Sequence, residues 1–415
     1  MSHPIRIAYV VHTFDPGGLE RCVARLVDGL DRRRFAPSIV CLDRSGAASN
    51  WIESPDVAIV ELRKGASGVV GLVRRLADAF RGNGVEIAHS HNWGTLLETA
   101  VACRLVRPKV RHVHAERGTV LGQPARSAHR RRLRAVAMRH TLSCADVVMS
   151  NSIETARRVG DVTGIPVSRI RIIPNGLNAP LDDPARIEVE RRRIRGRLGI
   201  DDDAVLFGSV GRLVSVKDFP TAIRAVTEAA KSGMPAHLLL VGDGPEQDRL
   251  RATAIQTGSA DRVHFVGEQA EVGPWYAAMD AYVNTSLSEG MSQSVVEAMA
   301  MRLPLVVTDV GDHRRLAESD GGCGRVAEAG DVAALSDAMC ELAGSRRLRK
   351  ELGRRAAGVH AAGHSLATMI ARYERLYESL SVQGEVHAAS IERERAASPV
   401  GLEVEQRSMM RVRIE

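Results

Sequence analysis

The sequence predicts an α/β protein built as two doubly wound units, each a parallel sheet covered by helices, with a cleft between them. Three observations predict it. Short apolar runs alternate with longer helical patterns through the first half. The same rhythm restarts near residue 204. A segment rich in proline, aspartate and arginine, "IPNGLNAPLDDPARIEVERRR", separates the two and reads as a linker.

In the first unit "IRIAYVVH" (5–12) reads as a buried strand and "GLERCVARLVDGL" (18–30) as the helix behind it. "APSIVCL" is a second strand, "GVVGLVRRLADAFRG" a helix and "VEIAHSH" a third strand. "TLLETAVACRLV" is helical, and "VRHVHAE" and "ADVVMSNS" are strands. In the second unit "AVLFGSVGRL" (204–213) runs into a glycine turn, and "FPTAIRAVTEAAKSG" is a helix closed by Gly233. "AHLLLVGDGPE", "VHFVG", "AYVNTS" and "LPLVVTDVG" supply four more strands. "HSLATMIARYERLYESL" (364–380) is an amphipathic helix. The expected division is 1–175, 176–363, the helix 364–380, and a mostly disordered tail at 381–415, which has no sustained period.

Composition bounds the function. Six scattered cysteines contain no C-x-x-C pair, which argues against zinc-ribbon and redox motifs and suits a reducing compartment. "RIAYVV" is too short and poorly flanked for a signal peptide, and no run reaches the ~20 apolar residues of a membrane span. The expected location is therefore the cytoplasm. Aromatic residues are 3% of the chain, too few for single-strand stacking platforms, and no nucleic-acid partner is expected. Residues 111–140 hold eight arginines and one acid. Its part at 126–140 is read either as a solvated helix face or as a patch for anionic lipid.

Ligands of such folds bind at the carboxyl ends of the strands. Gly17 and Gly18, after the first strand, allow close backbone approach in front of a helix start. His91 and His114 end two strands and are expected to open on one crevice, with Asn92, Glu116 and Arg117 beside them. Arg212 and Lys217 share one loop, a fork and a point charge suited to a diphosphate. In "SLSEGMSQSVVEAMA" (286–300), Glu289 sits on a turn with Gly290 and Met291, Ser292 is a candidate N-cap, and Glu297 lies a turn or so into the helix. A carboxylate accepts two hydroxyls at once, so one acid suits a hexose and the other a ribose, with the helix start on phosphate. These residues show no acidic cluster that would complete a metal site.

Taken together, the glutamate pair, the "GRL…K" loop and "IPNGLN" (173–178) resemble the retaining glycosyltransferases of family 4, over about residues 5–380. "FDPGGLE", "HNWGTLLE" and "HAERG" further resemble sugar transferases of bacterial exopolysaccharide and exosortase systems. The resemblance implies a GT-B fold of two Rossmann-like domains and a nucleotide-sugar donor, UDP- or GDP-linked, with no cofactor and no obligatory metal. It implies that Glu297 takes the ribose, Arg212 and Lys217 the diphosphate, and Glu289 the donor sugar. His114 would stand near that sugar, and Gly17–Gly18 would close over the phosphates. Gly290, Met291 and Ser292 complete the donor set. His91, Asn92, Glu116, Arg117 and Asn175 are candidates for the acceptor or sugar side. The acceptor would be a glycan, free or polyprenyl-linked. Asp312 and Arg315 depart from the family pattern after the strand at 305–310, so that loop receives no donor role. A nucleotide-sugar epimerase on the same architecture and a non-catalytic binding protein are the alternatives.

Overall fold

The computed structural model describes residues 3–66, 68–117 and 128–381, so the expected tail beyond residue 381 and residues 126–127 of the basic stretch lie outside the described residues. The first unit is a seven-stranded parallel sheet in the order β3-β2-β1-β4-β5-β6-β7. Its strands are β1 (Ile5–Val11), β2 (Phe35–Cys41), β3 (Ala58–Glu61), β4 (Ile87–His91), β5 (Arg111–Glu116), β6 (Val147–Ser150) and β7 (Ile170–Ile172). Its helices are α1 (Gly18–Gly29), α2 (Gly68–Gly82), α3 (Trp93–Leu105), α4 (Ala128–Leu142) and α5 (Ile153–Thr163). Strand order reverses between β1 and β4, which makes that point the crevice of the sheet.

Within the linker stands α6 (Pro184–Leu198), a correction to the sequence reading. Asp183 caps it by accepting from Ala185 N, proline opens it, and left-handed Gly199 closes it. Only Ile194 and Arg195 are buried on it, so its charge run hid the helix. Arg195 reaches the Asp280 carboxylate at 3.0 Å and ties α6 to the second unit.

The second sheet has six strands in the order β10-β9-β8-β11-β12-β13. They are β8 (Val205–Val210), β9 (Ala236–Val241), β10 (Val263–Phe265), β11 (Ala281–Asn284), β12 (Leu305–Thr308) and β13 (Gly324–Ala327). Around it pack α7 (Phe219–Lys231), α8 (Gln247–Gln256), α9 (Gly273–Ala278), α10 (Gln293–Ala300), α11 (His313–Glu318), α12 (Val332–Gly344) and α13 (Arg346–Gly363). β3, β7 and β13 escaped the sequence reading because each has only three or four residues and lies at a sheet edge.

The last described helix, α14 (Leu366–Leu380), returns to the first unit. It buries Met369, Tyr373, Leu376 and Tyr377 in the core formed by β1 and α1. Burial of such side chains is worth about 1.5–3 kcal/mol each. Two crossings therefore join the units, and they meet at a bridge between Leu177 and Ser365. A side chain at Gly176 would stand 2.3 Å from the Ser365 carbonyl oxygen, so only glycine lets the crossings touch.

Candidate functional site

Both sheets present their strand ends to the same cleft. After β8 the loop carrying Gly211, Arg212 and Leu213 rests on the turn after β9. A side chain at Gly242 would lie 2.0 Å from the Gly211 carbonyl oxygen, and Gly242 has φ near 140°. The glycines of "VGDG" thus bring two loops into backbone contact. Arg212 projects from this platform, exposed. Lys217, five residues on, is half-buried and forms an ion pair with Glu289.

Glu289 lies on the loop after β11. Its Oε1 accepts from Lys217 Nζ and, at 2.9 Å, from Ser286 Oγ. The sequence reading gave these two charges separate ligands; the folded chain pairs them. Ser292 holds the N-cap position of α10, but its side chain makes no capping bond, which corrects the expectation. Its hydroxyl instead stands 3.4 Å from Asn284 Nδ2 and 3.2 Å from Ser294 Oγ. The first N–H groups of α10 therefore have no side-chain cap. Gly290 is half-buried beside them, and Met291 is buried, its sulfur accepting from Asn175 N at 3.3 Å.

Glu297 faces a cavity of about 840 Å³ between α1 and the second unit, lined also by Arg21, Arg25, Trp51 and Gly273. Tyr276 OH donates to its Oε2 at 3.0 Å. Burial holds the Glu297 carboxyl above its ordinary range, against the opposing pull of Tyr276, Arg25 and Arg21. Burial also lowers Arg25, and Glu297 opposes that shift. Arg21 lies over the Trp51 ring, 4.5 Å from its centre. Sequence reasoning passed over Arg21 and Arg25. Their i, i+4 spacing on the helix behind Gly17–Gly18 was the available signal.

The two units touch across the cleft. Gln293 Nε2 donates to the Gly18 carbonyl at 2.9 Å, and a side chain at Gly18 would stand 3.1 Å from that amide. Gly17 is extended, with φ near −165°. Arg158 donates to the Glu289 carbonyl oxygen at 3.2 Å. Neither Gln293 nor Arg158 was foreseen, because such contacts depend on how the units are set against one another.

His91 and His114 do not open on one crevice. Side chains alternate along a strand, and the β4–β5 register sets His91 against Ala115. His91 lies with Tyr9 and His89 on the face that α14 covers. Burial, then His89 and Arg117, hold it well below the usual histidine range. His114 is on the opposite face, where its Nδ1 meets Ser90 Oγ at 2.8 Å and its Nε2 is 3.6 Å from Glu116 Oε1. Ser90 also meets His112 Nε2 at 2.8 Å. Both Glu116 oxygens are buried without a hydrogen-bond partner. His91 and Glu116 are thus separated by the sheet.

Asn92, Arg117 and Asn175 form one bracket. Arg117 N donates to Asn92 Oδ1 at 3.1 Å, and its Nη1 donates to Asn175 Oδ1 at 2.8 Å and Cys22 Sγ at 3.0 Å. Nη2 donates to Tyr373 OH. The guanidinium is held above its ordinary range; burial opposes this and is outweighed by Cys22, Tyr373 and Tyr377. These three candidates join β5, the first crossing and α14. Among the described residues no group of three or more His, Cys, Asp or Glu is placed to hold a metal ion, and no helix is long and apolar enough to cross a membrane.

Comparison with known proteins divides the chain at the same cleft. A model of "Glycosyltransferase Family 4" matches residues 16–179, and one of "Glycosyl transferases group 1" matches 204–345. The lipopolysaccharide core biosynthesis glycosyltransferase LpsE of Rhizobium meliloti is 32% identical over 44% of this chain and 49% of its own length. The 2-deoxystreptamine glucosyltransferase of Streptomyces kanamyceticus is 29% identical over 68% of this chain and 74% of its own. The chain spans about half the length of LpsE and of a D-inositol 3-phosphate glycosyltransferase of Nocardia farcinica, 49% and 52%. Among solved structures, Anabaena HepE in complex with UDP superposes with a TM-score of 0.75 at 19% identity, over 90% of this chain and 100% of that one.

Proposed function

We propose that this chain, which matches a family 4 glycosyltransferase model followed by a group 1 glycosyltransferase model, is a GT-B glycosyltransferase that moves a sugar, with retention, from a nucleotide-sugar to a glycan or lipid-linked glycan acceptor. The carrying observation is the mouth of the second unit. There Lys217 pairs with Glu289, exposed Arg212 stands on the same loop as Lys217, and Gln293 at the uncapped start of α10 reaches Gly18.

In this reading the diphosphate takes Arg212, Lys217 and the α10 N–H groups, and frees Glu289 for sugar hydroxyls. Glu297 accepts the ribose hydroxyls. The bond from the sugar's anomeric carbon to the diphosphate breaks, and a bond to the acceptor oxygen forms on the same face. The acceptor's proton passes to the departing diphosphate. Positive charge fixed at the leaving group stabilises the charge that develops there, so no obligatory metal is part of the proposal. His114, buried in β5 beside Ser90, is the first-unit residue this reading sets near the sugar.

HepE is described with UDP and with UDP-glucose, which supports UDP as the first nucleotide to try. The relatives LpsE and the putative EpsF of Bacillus subtilis, 24% identical over 73% of this chain and 79% of its own length, support a role in cell-surface or exopolysaccharide synthesis. A polyprenyl-linked acceptor would place the protein at the inner face of the cell membrane. Calorimetric titration with UDP, GDP and ADP, in EDTA, tests the reading. One nucleotide should bind clearly better than the others; binding by none of them overturns it. Turnover of donor without acceptor would favour the epimerase.

A further inference from the structure

Twelve large apolar side chains are exposed among the described residues, and seven of them stand on three helices of the first unit. Val69 and Val70 begin α2; Leu97, Val101 and Leu105 run along α3; Leu133 and Val136 lie on α4. The three helices form one layer over the sheet, with α3 packed between α2 and α4, so their outward faces look the same way. The four-residue spacing on α3 makes a continuous stripe, with Leu97 44% and Leu105 50% exposed. Leu133 and Val136 are 64% and 65% exposed.

A helix on an ordinary protein surface turns polar residues outward. Here the one acid of α3, Glu98, is buried against Lys64 at 3.3 Å, and α4 has no acid. Exposed cations stand on the same helices, Arg74, Arg104, Arg132 and Arg139, and just past α3, Arg107 and Lys109, the last 3.5 Å from Asp146. The one exposed acid of the three helices, Asp78 on α2, is paired with Arg81, so cations stay in excess. Clustered apolar side chains beside such an excess mark an interaction surface. A second copy of the chain would set these cations against their own kind. An anionic bilayer satisfies both features, since apolar side chains enter the headgroup boundary while the cations remain at it.

We propose that the α2–α3–α4 face seats this protein on an anionic membrane surface, with α3 as its centre rather than the basic run alone. The lipid-linked acceptor of the proposed function would give the contact its use, and the contact is testable without it. The full chain is sedimented with vesicles of phosphatidylglycerol and phosphatidylcholine, and with phosphatidylcholine alone. Binding is expected on the anionic vesicles and roughly tenfold or more weaker on the neutral ones. Leu97→Ser/Val101→Ser/Leu105→Ser and Arg132→Glu/Arg139→Glu should each weaken it by roughly tenfold or more. Ile255→Ser, as exposed but on α8, should leave it unchanged. UDP titration of every variant reports an intact cleft and separates failure of this surface from failure of the transferase reading. Wild-type protein that binds UDP but ignores anionic vesicles overturns the proposal. So does a dimer in the ultracentrifuge that the α3 variant disperses, which would assign the face to a second copy.

Discussion

Lys217 and Glu289, seventy-two residues apart, form an ion pair at the mouth of the cleft, and Ser286 holds the carboxylate from its other side at 2.9 Å. In the proposed reading the pair holds a largely buried cation and acid together until a diphosphate competes for the lysine. Glu289→Gln should therefore leave UDP affinity within about threefold, since it removes a competitor for Lys217, while lowering kcat by about 100-fold or more. Lys217→Ala should lose nucleotide affinity instead. Calorimetry beside a transfer assay distinguishes the two. Equal loss of binding in both variants would contradict these roles.

Glu297 offers a pH-dependent test. Burial raises its folded carboxyl above the ordinary 4.5. The folded chain thus binds this proton more tightly than the unfolded chain, and stability falls as pH rises from about 4.5 through the raised value. Glu297→Gln removes that dependence. The variant's melting temperature relative to wild type should climb across this window, and nucleotide binding should be weakened at neutral pH. A difference that stays flat with pH would refute the burial argument.

Arg117 joins Asn175, Cys22 and Tyr373 through one planar group. A lysine cannot reproduce that fork. Arg117→Lys should destabilise the protein by about 1–3 kcal/mol in urea unfolding. A neutral result would mean that the bracket between the strand end, the crossing and α14 is not needed.

Gln293 reaches Gly18 across the cleft at 2.9 Å. Gln293→Ala should leave folding intact and let the ligand-free units separate. Small-angle scattering should show a larger radius of gyration for the variant without nucleotide, and the same radius as wild type with UDP. Identical radii without ligand would mean the contact does not hold the cleft.

The placement of much of the candidate site was legible before folding was considered. Gly17–Gly18, Arg212, Lys217, Glu289 and Glu297 all follow strands whose apolar runs are unambiguous, and in a doubly wound sheet such positions must face the cleft. His91 and His114 misled because strand-end position says nothing about side-chain parity. One residue of register sends neighbours to opposite faces. The helix at 184–198 was hidden because its contact with the second unit rests on arginines that a sequence pattern reads as solvent-facing.

The sequence by itself determined the two α/β units, the loops at their strand ends and the kinds of charge those loops carry, because these follow from local periodicity and residue type. Only the tertiary structure decided that Lys217 neutralises Glu289, that Arg25 confronts Glu297, that Asn92, Arg117 and Asn175 serve one bracket, and that α3 shows its apolar stripe to solvent. Each of these depends on which surfaces meet across distances in sequence that no local pattern encodes. The pairing energy of two side chains exists only once the fold has brought them together.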